Sequence, residues 1–270
     1  GGQTADGNDA VNDVTHLCIE ACGELKLPKP SVSFKLSKVT SPEVLDKVLK
    51  TIQEHKGGQP ALYNDEAFME TLRVLEVKDE DLYNWAPVGC IEAHVPGKWD
   101  YAAKGPWLNV LKVLELTLNG GKDPVTGKQL FKTEGTLETF TSAEEIFEAF
   151  KKQLHHYMEL QVAMEHLNDE LHIMNDLNAF RASLVHDCIE RGKTLIEGGS
   201  IYSADGGPTT GIISAADAIA AIEWVVFKER LITKEQLKHA LETNFEDRST
   251  KPSGEEIRQI LLNKAPKFGN

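Results

Sequence analysis

"VGCIEAHVPGK", residues 88–98, places a glycine, a lone cysteine and a glutamate within a turn-rich stretch. In extended or turning backbone, residues two apart project to the same side, whereas on a helix they diverge by more than a right angle. Cys90 and Glu92 are therefore expected to face one cavity. A nucleophilic thiolate would need a base or a positive field, which His94 could supply, but a carboxylate at Glu92 raises the thiol pKa and opposes activation. Hydrogen-atom transfer needs no thiolate. A thiyl radical abstracts hydrogen from carbon, and the neighbouring carboxylate then takes a hydroxyl proton from the substrate radical. The plainer alternative is a buried cysteine beside a solvated acid, because Cys-x-Glu alone is a weak signal.

Outward from this stretch, helix starts recur. Ser41 precedes Pro42, and Ser142 with Glu145, Thr233 with Gln236 and Ser253 with Glu256 each offer a side-chain acceptor to first-turn amides. Extended segments are expected at "SVSFKL" (31–36), at "QPALY" (59–63) and on the approach to Gly89, bounded by Pro and Gly pairs such as Gly57-Gly58. The pattern predicts a helix over 104–118, an exposed excursion over "NGGKDPVTGKQL" (119–130), and long helices over 142–197, broken near Asn175 to Asn178 and ended by Gly198-Gly199. Strands alternating with a majority of helices imply an α/β layered or barrel architecture. Neither an internal repeat nor a low-complexity linker interrupts it.

The 270 residues, 41% of them hydrophobic, suffice to bury a sizeable core. Lys and Arg number 29 against 42 Asp and Glu, a formal charge of -13, which disfavours nucleic acid or an anionic membrane surface as the main partner. No apolar run reaches the roughly 18 residues of a membrane span, and the first residues lack the basic and apolar regions of a signal peptide. A cytoplasmic chain with reduced thiols is expected. Cys18 and Cys22, one helical turn apart beside His16, supply too few ligands for a closed zinc site and are expected to be two buried helical thiols, so no metal site is expected. His155, His156, His166 and His172 lie on the helical segment without the spacing of a zinc protease and are assigned exposed or packing roles. The chain begins at Gly1 and stops at "KAPKFGN" without a closing element, so it reads as a segment of a longer polypeptide.

"GGQTADGNDAVNDVTHLCIEA" (1–21), "GGQPALYNDE" (57–66), "GCIE" (89–92), "HDCIERGKTLIEGG" (186–199) and "AADAIAAIEWVVFKERLITKEQLKHALETNFE" (215–246) together resemble the glycyl-radical enzymes of the pyruvate formate-lyase-like superfamily over nearly the whole chain. The most specific match is Gly89-Cys90-Ile91-Glu92, which resembles the family loop whose cysteine becomes the thiyl radical. The resemblance implies a predominantly helical segment of a ten-stranded α/β barrel, with residues 1–270 forming part of one barrel domain and the loop projecting to its centre. It implies Cys90 as the hydrogen-abstracting thiyl and Glu92 as general base. Burial that keeps the thiol neutral and raises the glutamate pKa would suit both roles.

The loop also sorts subclasses. Pyruvate formate-lyase itself uses two adjacent cysteines, whereas Cys90 here follows Gly89, so acyl transfer to coenzyme A is disfavoured. The single-cysteine branch contains dehydratases, choline lyase, sulfonate lyases and arylacetate decarboxylases. This chain departs from the dehydratase and choline-lyase pattern twice. Ala93-His94 follows the glutamate where proline is usual, and Lys104 stands fourteen positions past the cysteine where those enzymes place an aspartate on the substrate hydroxyl. A cation there suits a substrate carrying a carboxylate or another anion, and His94 and Lys104 are the candidate substrate-binding residues, with a solvated Lys104 and a packed His94 as the alternatives.

The resemblance further implies a glycyl radical carried on an Arg-Val-x-Gly-Tyr motif and installed by a radical S-adenosylmethionine activating enzyme with an iron-sulfur cluster. That motif does not occur in these 270 residues, so they bind no cofactor of their own and are expected to be inactive alone. The leading expectation is the core of a glycyl-radical lyase or dehydratase acting on a small molecule, in a family that is often dimeric. A glycyl-radical decarboxylase or formate C-acetyltransferase-like enzyme, and a non-catalytic paralogue binding a metabolite or partner chain, are the rivals.

Overall fold

The computed structural model describes residues 1–89, 91–99, 105–175, 177–203 and 207–268. Two compact units are formed, residues 1–102 with 172–204 and residues 103–171 with 205–270. Helix predominates, and the strands of the described residues form two-stranded pairs.

The first unit opens with α1 (Asp13–Leu25), whose Asn12 cap shares reciprocal hydrogen bonds with Thr15. Next come β1 (Ser33–Leu36), α2 (Pro42–His55) and β2 (Ala61–Asn64). Ser41 accepts from the Val44 amide and Pro42 needs no partner for a missing N–H, so α2 starts where the sequence signal puts it. β1 and β2 pair in parallel, Ser33 opposite Ala61 through Leu36 opposite Asn64, with α2 as the crossover. Ile19, Phe34, Val44 and Val48 close a small core between α1, β1 and α2. Cys22 lies buried beside it, but Cys18 is exposed. The expectation of two buried thiols is thus corrected, because positions four apart lie slightly off one helical stripe and only Cys22 lands on the inward one.

α3 (Asp65–Val74), capped by Asn64, and the single turn α4 (Asp79–Leu82) lead into β3 (Ala86–Val88) and β4 (Glu92–His94). Tyr63, Met69, Leu72, Leu82, Trp85, Val95, Trp99 and Tyr202 form the core beneath this hairpin.

In the second unit β5 (Leu108–Asn109) runs into α5 (Val110–Leu118). The helix expected from 104 therefore starts six residues later. Gly105-Pro106 opposes helical backbone on its N-terminal side, residues 108–109 pair instead with another strand, and Asn109 caps the helix by accepting from the Lys112 amide at 3.1 Å. α6 (Ala143–Asn175) is one continuous helix. Of the long helices expected over 142–197, only this one is present among the described residues, and it ends at Asn175, where the break was expected. The rest is turns around α7 (Ala179–Ala182) and α8 (Cys188–Arg191), each a single turn.

The strand paired in parallel with β5 is β6 (Thr209–Thr210), followed by α9 (Ile212–Ile222), which ends in a π-helical turn over Glu223–Lys228. α10 (Lys234–Glu242) and α11 (Gly254–Lys264) carry the capping boxes read at Thr233 with Gln236 and Ser253 with Glu256. The core gathers Val113 and Leu114 of α5, Ile146 and Phe150 of α6, Ile222, Val225, Leu237 and Ile257. These sit at helical spacing on each element, so the packing follows from the amphipathic pattern. Among the described residues no helix is long and apolar enough to cross a membrane.

Candidate active site

β3 and β4 form an antiparallel pair in which Ala86 faces His94 and Val88 faces Glu92. The stretch read as a loop is thus flanked by a strand pair, with Glu92 and His94 inside the second strand. Gly89 sits at φ 63°, a left-handed conformation that glycine adopts without a Cβ penalty. A Cβ at this position would lie 2.8 Å from Glu92 Oε2. The same oxygen accepts a 2.9 Å hydrogen bond from the Ile91 amide. The half-buried Glu92 carboxylate is therefore folded back against the backbone on both sides of position 90. Cys90 itself lies outside the described residues, as does Lys104.

His94 follows Glu92 by two and so shares its face of β4. It is buried, and its ring stacks on Trp99 with centroids 5.5 Å apart and planes 14° from parallel. Trp99 meets Tyr202 at 5.5 Å in turn, and the Tyr202 amide donates to the Lys98 carbonyl. His94 is thus fixed from below by an aromatic column, as a group in a preorganised site needs to be.

Two buried carboxylates anchor the hairpin. Asp65, at the first turn of α3, accepts from Trp85 Nε1 at 2.6 Å and from the Gln3 amide at 3.0 Å, and pairs with Lys35 at 3.2 Å. Lys35 also donates to the carbonyls of Tyr83 and Trp85, tying β1 to the segment that enters β3. Burial pulls the Lys35 ammonium below its usual range, with Asp65 opposing. Asp81 of α4 accepts from Tyr202 Oη and from Lys98 Nζ, both at 2.7 Å. Burial pushes its carboxyl up, but the hydrogen bonds from Lys98 and Tyr202 outweigh that and hold it below the ordinary carboxylate range. Burial, then the bond to Asp81, pushes the Tyr202 phenol up.

Neither Asp65 nor the Asp81–Tyr202 pair stands out in the sequence. Tyr202 meets Asp81 across 121 residues, and no local pattern announces such a contact. Trp99, five positions past His94, was within reach of the motif but carries no spacing rule of its own. Of the helical histidines, His166 and His172 are exposed, and His156 stacks on Phe131 at 3.8 Å, a packing role as expected.

The family model described as pyruvate formate lyase-like matches residues 1–270. The chain belongs to the pyruvate formate lyase-like family. Relatives of this family member include the trans-4-hydroxy-L-proline dehydratase of Clostridioides difficile, 35% identical over all of this chain and 33% of that enzyme. The (2S)-3-sulfopropanediol dehydratase of Klebsiella oxytoca is 28% identical over 91% of this chain and 30% of its own length. Among solved structures, the glycerol-bound B12-independent glycerol dehydratase of Clostridium butyricum superposes with a TM-score of 0.85 at 33% identity, covering all of this chain and 33% of that one. The chain spans about a third of the length of the relatives it matches.

Proposed function

We propose that this family member carries the thiyl-forming part of a glycyl-radical dehydratase or lyase whose small-molecule substrate bears an anionic group. The observation that carries the proposal is Glu92, a carboxylate held against Gly89 and the Ile91 amide, the two chain neighbours of Cys90. When present, the glycyl radical installed by a radical S-adenosylmethionine activating enzyme supplies the unpaired electron. Cys90, as the thiyl, takes a hydrogen atom from a substrate C–H and becomes a thiol. Glu92 accepts the proton of the hydroxyl on that carbon, which raises electron density on the carbon and expels the group on the neighbouring one. The Cys90 S–H then returns its hydrogen atom to the product radical. His94, on the Glu92 face of β4, is the donor to the departing group or to the anion. Lys104 is the cationic partner of that anion.

The anionic assignment is supported by the relatives, since hydroxyproline and sulfopropanediol, named in two of them, each carry an acid group. In this account residues 1–270 contribute to one ten-stranded α/β barrel domain of a cytoplasmic, dimeric enzyme, and the barrel shields the radical from solvent. The test is elimination assayed in the complete polypeptide after anaerobic activation, with hydroxy-substituted carboxylates and sulfonates set against neutral diols. Turnover confined to the anionic group is expected, and Lys104→Met should raise KM for it. Preferential turnover of neutral diols would overturn the anionic assignment.

A further inference from the structure

One stripe of side chains runs the length of α6. Ile146, Phe150, Gln153 and Tyr157 stand four, three and four residues apart. Leu160, Met164, Leu167, Leu171 and Met174 continue the same alternation of three and four to the end of the helix. The pattern is a seven-residue repeat held without a slip from Ile146 to Met174. Its two halves differ in what they meet. Ile146, Phe150 and Gln153 are buried, and Ile146, Phe150 and the partly buried Tyr157 pack in the core of the second unit. From Leu160 onward the residues of the stripe are between 45% and 77% exposed. Single exposed apolar residues are ordinary on a protein surface, whereas a contiguous apolar row in register with a buried one marks an interaction site.

The repeat and the size of the exposed half identify what covers it. A straight helix drifts by about 20° per seven residues, so a strict seven-residue repeat keeps one face only toward another helix around which it winds. The occupant is therefore helical. The exposed half extends about 21 Å along the axis at 1.5 Å per residue, while a stable contact between separate chains recruits about 20–30 residues a side. It is too small to hold a second copy by itself. A helix of the same polypeptide needs no such area, because tethering supplies an effective concentration in the millimolar range. The chain spans about a third of the length of its relatives, so a complete polypeptide of their length has ample chain for such a helix. The flanks define its chemistry. Ala163 and Glu170 border the stripe on one side, and the short Ala163 side chain allows close approach while Glu170 selects a lysine or arginine opposite it. Met164 and Met174 are unbranched and adapt to the contour of what they meet.

We propose that the second half of α6, from Leu160 to Met174, is an intramolecular docking surface for a helix of the same polypeptide that lies outside residues 1–270. That helix carries apolar residues at the matching spacing of three and four and a basic residue opposite Glu170. It extends over Leu160, Met164, Leu167, Leu171 and Met174 the packing that Ile146 and Phe150 begin. The inference is independent of the roles of Cys90 and Glu92.

The test uses the complete polypeptide. The photoreactive residue p-benzoylphenylalanine replaces Glu170, which is exposed on the flank and leaves the stripe itself intact. Irradiation of a mixture of isotope-labelled and unlabelled chains, followed by peptide mass spectrometry, should give a crosslink within one chain to a helix outside residues 1–270. A crosslink to a second copy, a crosslink confined to residues 1–270, or none at all overturns the proposal. Two further readouts do not depend on the photoreactive variant. Met164 and Met174 of the unaltered protein should be oxidised by hydrogen peroxide many-fold more slowly than in the urea-unfolded chain, and equal rates overturn the proposal. Leu167→Glu should lower the melting temperature, because a surface position open to water would accept the charge with little change. A melting temperature that stays the same overturns it too.

Discussion

At the base of the β3–β4 hairpin Trp85, Val95 and Trp99 are almost wholly buried, and Asp65 and Asp81 each join elements distant in sequence. At its tip Gly89 and Ile91 face solvent, and Glu92 is held against the turn backbone. The base is therefore where substitutions should act on folding, and the tip is where they should act on chemistry. The separation is physical. Buried charge and close-packed aromatic rings are costly to disturb, whereas at the exposed tip the demands are the left-handed φ of Gly89 and the position of the Glu92 carboxylate.

The comparison breaks first, if it is wrong, at Glu92. Glu92→Gln preserves size and removes the proposed base, so turnover in the activated complete polypeptide should fall by about 10²–10⁴-fold, the range of general-base contributions, with the melting temperature unchanged. A parallel loss of melting temperature would place Glu92 in the structural base instead. Asp65→Ala is the mirror experiment. It leaves Lys35 buried without its partner and Trp85 Nε1 without an acceptor, and denaturant titration should show a loss of about 3–5 kcal/mol.

Gly89→Ala sharpens the boundary between the two regions. The left-handed φ costs about 1–2 kcal/mol with a Cβ, and the new methyl carbon would lie 2.8 Å from Glu92 Oε2. Denaturation should report that small loss, while turnover drops more than the stability change explains because the carboxylate is displaced. The smallest effect is in pH. The Asp81 carboxyl is held low in the folded state, so its stabilisation is fully present above the unfolded value of about 3.9 and is lost as pH falls below it through the folded pKa. Urea titrations stepped downward through that region should show a slope that Asp81→Asn flattens. A slope identical in both proteins would remove Asp81 from the base of the hairpin.

Much of this was legible in the sequence where the signal is local. The capping serines and threonine at 41, 233 and 253 start helices as read, and Gly89 adopts the positive φ expected of a glycine where the chain turns. Helical periodicity over 104–118 was overridden by Gly105-Pro106 and by a β5–β6 pairing that joins residues about a hundred positions apart in sequence, whereas the stretch after α6 forms only the single turns Ala179–Ala182 and Cys188–Arg191. Likewise Asp65 and Asp81 look like ordinary surface acids until the fold buries them, since a buried carboxylate is recognised by its partners and not by its neighbours in sequence.

The central claim is most directly tested by Cys90→Ser in the complete polypeptide, activated anaerobically beside the unaltered protein. The account predicts that electron paramagnetic resonance shows the glycyl radical in both, while only the protein with Cys90 turns substrate over. Turnover by the serine variant at a comparable rate would contradict the account, because an alcohol O–H is too strong a bond to cycle as the thiol does.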